Sequence, residues 1–220
     1  ASHVPALCCA YGKMATGCDS PCLSLTLDKW RTKAVLHEAG VEVPRGIIVP
    51  VGGDFSREEA GEGPYIVKPA NSDASEGIGG NSFIPHFGPR VKEIVQIIHR
   101  DFDQPALIEQ YVGHREFNIS LVQSGCEVKV MPIAEIDFSA FAPGKPRIID
   151  YSAKWVPESF EYNNTPRIIP ARVGGDVAAW IRAAALKSWN ALGCADFIRV
   201  DMRMDEKERV FVLEINANPD

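Results

Sequence analysis

The chain has 220 residues, 45% of them hydrophobic and 24% charged, with a net charge of −6. That apolar content excludes a disordered or collagen-like chain, and the length fits one large domain or two small ones at roughly 100–200 residues each. The balance of 29 Asp+Glu against 23 Lys+Arg lacks the basic footprint of a general nucleic-acid binder, though it permits a local basic pocket for a phosphorylated small molecule.

No run reaches the ~18 apolar residues that a membrane span requires, and no charged-then-apolar leader opens the chain. Ala1 in place of Met suggests a trimmed or fragmentary sequence. Four of the six cysteines (Cys8, Cys9, Cys18, Cys22) fall in the first 22 residues, with Cys126 and Cys194 far behind. The spacing CC-x8-C-x3-C is not a standard zinc-ligand pattern, so reduced thiols of a cytoplasmic protein are expected.

Residues 1–27 have weak periodicity and read as a loop-rich lead-in. A helix is predicted from Asp28 to Glu38 or Ala39, stopped by Gly40, then a short strand from Gly46 to Val49. Gly52 to Gly63 is polar and glycine-rich, a loop. Tyr65 to Lys68 reads as a buried strand ending at Pro69, and the small, polar stretch Ala70 to Gly80 as a mobile loop. Val91, Ile94, Val95 and Ile98 recur at i, i+3, i+4 and i+7, an amphipathic helix. Ala106 to Glu109 is a strand. Glu116 to Leu121 alternates, with Phe117, Ile119 and Leu121 on one face, and turns at Gln123-Ser124-Gly125 into a strand around Val128 to Ile133. Ala140 to Pro170 carries five prolines and reads as irregular. Val177, Trp180, Ile181, Ala184 and Ala185 mark the strongest helix, with Trp180 and Trp189 expected in the core. Two closing strands, Phe197 to Met204 and Val210 to Asn216, flank a charged turn. Helices mixed with antiparallel hairpins give an α+β fold in two lobes, with a seam near Val112-Gly113.

The last hairpin holds the densest chemistry. Centred at Lys207/Glu208, it sets Asp201 opposite Glu214 and Arg199 opposite Asn216, all on one face. Val200, Met202, Leu213 and Ile215 take the other face. Facing carboxylates repel. Either a divalent cation relieves the conflict, since Asp, Glu and Asn are hard oxygen donors of the kind Mg²⁺ takes, or Arg199 centres a salt-bridge cluster. Lys68 ends a buried strand just before a small-residue loop whose backbone N–H groups suit phosphate. Lys29 and Lys154 each precede a tryptophan, a pattern that snorkelling surface lysines also give. No P-loop or Rossmann glycine motif occurs, and no Ser-His-Asp or Cys-His signature of covalent catalysis.

In order along the chain, these segments resemble the ATP-grasp superfamily, closest to its D-alanine–D-alanine ligase branch. The resemblance rests on Asp28-Lys29-Trp30-Arg31-Thr32-Lys33, on Ile66-Val67-Lys68-Pro69 followed by Asp73 to Ile78, and on Leu107 to Val112 with Arg115-Glu116-Phe117. It continues in Asp150-Tyr151-Ser152-Ala153-Lys154-Trp155, Arg199-Val200-Asp201 and Leu213 to Pro219. It implies a two-lobed fold of antiparallel sheets with packed helices and a nucleotide bound between the lobes. Residues 1–27 would be the tail of an N-terminal domain, 28–112 the central lobe and 113–220 the C-terminal lobe. Lys29, Lys68 and Lys154 would clamp ATP phosphates, Glu109 and Val112 would meet adenine, and Glu116 would hold the ribose. Asp201, Glu214 and Asn216 would bind two Mg²⁺ ions (or Mn²⁺), Arg199 would stabilise the charge of a tetrahedral intermediate, and Ser75 would close over the site on a lid.

The implied activity is ATP-dependent joining of a carboxylate to an amine through an acyl phosphate, in peptidoglycan precursor synthesis. The implied partners are small-molecule amino acids, with a homodimer as the candidate assembly. Two alternatives stand beside it: a nucleotide-binding fragment without turnover, and a ligase for another amino acid or dipeptide. The family commonly has Tyr where this chain has Trp155, two serines where it has Ala74-Ser75-Glu76, and Gly where it has Asp220.

Overall fold

The computed structural model describes residues 2–219, so Asp220 and its departure from the family's Gly lie outside the described residues. The chain opens with α1 (His3–Ala10), α2 (Ser20–Leu27) and α3 (Lys29–Glu38), then β1 (Gly46–Val49), α4 (Arg57–Ala60) and β2 (Tyr65–Pro69). A 3₁₀ turn at Gly80–Ser82 precedes β3 (Phe83–Ile84), α5 (Pro89–Phe102) and β4 (Ala106–Gln110). There follow β5 (Arg115–Ser124), β6 (Glu127–Val130), β7 (Ala134–Ile136), α6 (Tyr151–Trp155), α7 (Phe160–Asn163) and β8 (Arg167–Ile168). The chain closes with α8 (Gly175–Ala191), β9 (Phe197–Met204) and β10 (Val210–Asn216). The class is α+β.

Two compact units divide the chain. Unit 1 holds Ala1–Val43, Gly113–Ile136 and Arg167–Asp220, and unit 2 holds Pro44–Val112 and Asp137–Pro166. Neither unit is continuous in sequence, unlike the division into 1–27, 28–112 and 113–220. The reason is bonding between segments distant in sequence. Lys33 Nζ donates to Leu213 O at 2.7 Å and the Val212 N–H donates to Glu42 O at 2.8 Å, which ties α3 and the turn after it to β10. Segment 137–166 is tied to the rest of unit 2 by Tyr111 Oη on Arg147 O at 3.3 Å and Ser75 Oγ on Ile149 O at 3.1 Å.

In unit 1 the strands run antiparallel in the order β10-β9-β5-β7-β8, with β6 also pairing β5. The alternation of β5 is realised: Phe117, Ile119 and Leu121 are all fully buried. They join Ile198, Val200, Met202, Val212 and Ile215 in a core with Val177, Ile181, Ala185 and Trp189 of α8. Each buried Val, Ile, Leu, Phe or Met side chain of this core contributes about 1.5–3 kcal/mol by leaving water. Trp180 is not in that core, being 54% exposed. At 100° per residue it lies roughly 110° from the centre of the buried stripe of α8.

The closing hairpin has the expected pairs, Asp201 with Glu214 and Arg199 with Asn216, but a bulge separates Val212 from Glu214. Toward the turn the register is therefore one residue off, and Val212 takes the buried place expected of Leu213. A bulge adds one residue to one strand, which shifts every side chain beyond it to the other face.

The lead-in is not a loop but contains α1 and α2. Asp19 caps α2 by accepting from the Cys22 N–H at 2.9 Å, with Pro21 in the first turn. Its sequence, Ser20 to Leu27, lacks the polar–apolar contrast that marks a surface helix.

Unit 2 carries a four-stranded antiparallel sheet in the order β1-β4-β2-β3, covered by Val91, Ile94, Val95 and Ile98 of α5. Two stretches expected to be irregular hold short helices. α4 begins with a capping box in which the Glu59 N–H donates to Ser56 Oγ at 3.2 Å and the Ser56 N–H to Glu59 Oε2 at 2.8 Å. α6 and α7 are capped by Asp150 and Ser159.

Gly113 has φ +45°, and a Cβ there would lie 1.9 Å from Met204 O. Gly113→Ala should therefore cost at least about 2 kcal/mol in urea unfolding of the chain, since both the backbone region and the space require glycine. A second outcome concerns pH. Burial raises the Asp150 carboxyl above the ordinary carboxylate range, against the opposing bond from the Ala153 N–H. A raised carboxyl binds its proton more tightly when folded, so stability falls as pH rises from the ordinary carboxylate range through the raised value. Asp150→Asn keeps the cap and should flatten that part of the stability–pH curve.

Candidate functional site

Unit 1 presents a polar sheet face built by strand alternation. Where Phe117 and Ile119 of β5 point into the core, Glu116 and Asn118 take the opposite face. Arg199, Asp201 and Arg203 alternate in the same way with Val200 and Met202 on β9, and β10 supplies Glu214 and Asn216. The registers align them: Glu116 faces Arg203, Asn118 faces Asp201, and Asp201 faces Glu214 on its other side.

Asp201, buried at the centre, accepts four N–H bonds. Its Oδ1 takes Arg199 Nε at 2.8 Å and Asn118 Nδ2 at 2.7 Å, and its Oδ2 takes Arg199 Nη2 at 3.0 Å and Asn216 Nδ2 at 2.9 Å. That is about the full acceptor capacity of one carboxylate. The Arg199-centred ion pair, one of the two readings of the spacing, is thus present. Arg199 supplies the neutralising charge that a carboxylate beside Glu214 needs. The donor set Asp201, Glu214 and Asn216 also fits a hard divalent cation chemically, provided the guanidinium gives up Asp201 oxygens to it. A second buried pair lies beside the first: Arg203 Nη1 meets Glu116 Oε2 at 3.1 Å, and Arg203 Nη2 donates to Gly113 O at 2.9 Å.

Asn118 and Arg203 are absent from the residues singled out in the sequence. The signal was present in both cases: each continues a period-two polar stripe already recognised from Glu116 and from Arg199-x-Asp201. Lys29, expected at phosphate, is buried as the first residue of α3 in this unit.

In unit 2, Lys68 at the end of β2 and Glu109 on β4 form a buried ion pair. Glu109 faces Ile66 in the ladder, which puts it on the Lys68 side of the sheet. Val112 closes the segment, also buried.

The loop after Pro69 is anchored rather than loose. The Tyr151 N–H donates to Ile78 O at 3.0 Å, Ser75 Oγ donates to Ile149 O at 3.1 Å, and Trp155 Nε1 donates to Ala74 O at 3.0 Å. Ala74 and Ser75 sit at positive φ, +57° and +60°. Gly77, at φ +72°, lies so close to Pro69 that a Cβ would come within 2.5 Å of its ring. Trp155, exposed on its short helix, is therefore one of three fastenings of this loop. Lys154 sits partly buried beside it on α6. Among the described residues no helix is long and apolar enough to cross a membrane.

Comparison with known proteins agrees with this architecture. A family model described as D-ala D-ala ligase C-terminus matches residues 55–220. A D-alanine–D-alanine ligase B of Chromobacterium violaceum is 28% identical over 218 residues, covering 96% of this chain and 63% of that protein. An uncharacterized protein, y4sG, of Sinorhizobium fredii is 29% identical over 219 residues, covering 99% of this chain and 61% of its own length. Among solved structures, the VanG D-Ala:D-Ser ligase of Enterococcus faecalis superposes with a TM-score of 0.79 at 22% identity, over 99% of this chain and 60% of that one. The Bacillus anthracis D-alanine–D-alanine ligase complexed with ATP gives 0.75 at 20% identity. The chain thus spans about three fifths of the length of the relatives it matches. With an ATP-grasp fold and a family match over most of its length, it belongs to the D-Ala–D-Ala ligase C-terminal family.

Proposed function

We propose that the chain carries the ATP-binding and catalytic part of an ATP-dependent carboxylate–amine ligase of the D-Ala–D-Ala type. The observation that carries this reading is the polar face of β5, β9 and β10. There a buried carboxylate, Asp201, is aligned with Glu214, Asn216, Asn118 and Arg199 on a rigid sheet. Family membership supplies the chemical class.

In unit 1, Asp201, Glu214 and Asn216 would hold Mg²⁺, which when bound neutralises phosphate charge. Glu116 would hold the ribose hydroxyls, Lys29 would face phosphate, and Arg199 would stabilise the oxyanion of the tetrahedral intermediate. In unit 2, Lys68 and Lys154 would bind phosphates, Glu109 and Val112 would meet adenine, and Ser75 would cover the phosphates from its anchored loop. Positioning and electrostatic stabilisation are what phosphoryl transfer mainly needs. A substrate carboxylate oxygen attacks the γ-phosphorus with loss of ADP, and an amine nitrogen then attacks the acyl carbon with loss of phosphate. The reading places this reaction in the cytoplasm, in the supply of peptidoglycan precursors.

A ligase for a different amino acid has one observation in its favour. Trp155 stands where the family commonly has Tyr, and its indole N–H is committed to Ala74 O. Trp offers a donor but no acceptor, so whatever a tyrosine hydroxyl arranges around the first substrate must be arranged differently here.

Release of ADP from Mg-ATP, followed with and without D-alanine, tests both readings. D-alanine should stimulate release, and Asp201→Asn should lower the stimulated rate by roughly 10²–10³-fold, the scale of removing one preorganised electrostatic group. Stimulation by another amino acid alone would favour the second reading. Stimulated release that is unchanged in both Asp201→Asn and Glu214→Gln would contradict the assignment of the sheet face.

A further inference from the structure

Three of the six cysteines meet in the interior of unit 1. Cys18, Cys22 and Cys194 are 2%, 2% and 8% exposed, and their sulfur atoms all lie within 4.8 Å of one another. Cys22 Sγ and Cys194 Sγ are 3.9 Å apart across 172 residues of sequence. The crowding of four cysteines near the N-terminus does not define this group. Cys9 is exposed and Cys8 only partly buried, while Cys194, distant in sequence, completes the cluster.

Backbone structure fixes each sulfur. Cys18 and Cys22 flank the capped start of α2, where Asp19 accepts from the Cys22 N–H. Cys194 follows α8 through a Schellman closure. Gly193 takes φ +62° and donates to Asn190 O at 3.3 Å, and the Cys194 N–H donates to Trp189 O at 3.0 Å. The two segments then clasp each other. The Ala195 N–H donates to Cys18 Sγ at 3.4 Å, and the Gly17 N–H donates to an Asp196 carboxylate oxygen at 2.7 Å. As a thiol, Cys18 also donates to Ala195 O at 3.4 Å; once deprotonated it keeps the Ala195 N–H as an outer contact of the kind found around metal-bound sulfur.

The spacing suits one shared ion. With metal–sulfur bonds of about 2.3 Å, two thiolates on one centre sit ~3.8 Å apart at a tetrahedral angle and ~4.0 Å apart in a trigonal plane. The Cys22–Cys194 distance of 3.9 Å falls between these values, and Cys18 Sγ, within 4.8 Å of both other sulfurs, closes on the ion as it binds. Soft thiolates select thiophilic cations over the hard ions that suit carboxylates, so this cluster and the Asp201 face would not compete for the same metal.

We propose that Cys18, Cys22 and Cys194 form a structural site for one thiophilic d¹⁰ cation, Zn²⁺ or Cu⁺, which fastens the start of α2 to the turn between α8 and β9. Such a clip closes a very long loop, which constrains the unfolded chain. It also steadies the entry to the strand that bears Arg199 and Asp201.

The test uses the full chain, reduced and stripped with a chelator, then titrated with Zn²⁺ or Cu⁺ against a chromophoric competitor. One equivalent of either ion should bind and raise the thermal midpoint, and Co²⁺ should give a sulfur-to-cobalt charge-transfer band. Cys194→Ser should weaken binding by more than the roughly 10–100-fold typical of outer contacts, while Cys9→Ser should not change it. Should Cys194→Ser fail to fold, X-ray absorption of the metal-loaded wild-type chain decides. Three sulfur neighbours support the site, and two or fewer overturn it. Failure to take up either ion, or uptake unchanged by Cys194→Ser, would also overturn it.

Discussion

A buried carboxylate must find partners, and the sheet of unit 1 is organised around that requirement at Asp201. Leaving a carboxylate unpaired in the interior costs several kcal/mol, and Asp201 avoids this by accepting four N–H bonds from three neighbours. Those neighbours come from three strands. Their register is set in turn by the apolar stripe on the other face, where Phe117, Ile119, Val200, Met202 and Ile215 pack under α8. Core packing and site geometry are therefore one constraint seen from two faces. A slip of one residue in β9 would bury Arg199 and Asp201 in the core and expose Val200 and Met202.

The bulge before Glu214 shows how tightly this is set. Between the turn and Val212 the hairpin runs in one register, and from Glu214 onward in another. The unpaired Leu213 leaves its carbonyl to accept from the buried Lys33. That contact joins α3, which carries Lys29 at its start, to the strand that carries Glu214 and Asn216. Unit 2 solves a similar problem with fewer parts. Lys68 and Glu109 neutralise each other on adjacent strands, and the loop beyond Pro69 is held by the α6 segment through Ser75 and Trp155.

Period-two alternation was the most legible signal in the sequence. It located both strands of the closing hairpin and placed Asp201 opposite Glu214, because one buried face fixes register, while the bulge left the turn-side pairs one residue off. The same alternation, followed one step further along β5 and β9, reaches Asn118 and Arg203. What stayed hidden depended on contacts distant in sequence. The Cys18–Cys22–Cys194 cluster joins positions 172 residues apart, and no spacing within the first 22 residues announces it. The two N-terminal helices were hidden because the apolar residues of Ser20 to Leu27 do not follow a helical period. Trp180 is exposed, against expectation, because a tryptophan three residues from Val177 still falls outside the buried stripe. The discontinuous units could not be read from composition, since they are made by contacts distant in sequence, such as Lys33 to Leu213 O and the packing of Leu36 and Val41 in the core with Val212. The helix at Arg57–Ala60, by contrast, is written in the Ser56/Glu59 capping box, within a stretch whose glycines and polar residues otherwise read as a loop.

The central claim is that the polar face of β5, β9 and β10 is where metal and nucleotide are held. Paramagnetic relaxation by Mn²⁺ added with ATP addresses it most directly, read from the side-chain amide signals of Asn118 and Asn216 against those of Asn163 and Asn190. The account predicts selective broadening of Asn118 and Asn216 that requires both Mn²⁺ and ATP and is lost in Asp201→Asn. Broadening that spares Asn118 and Asn216, or that persists unchanged in Asp201→Asn, would contradict it.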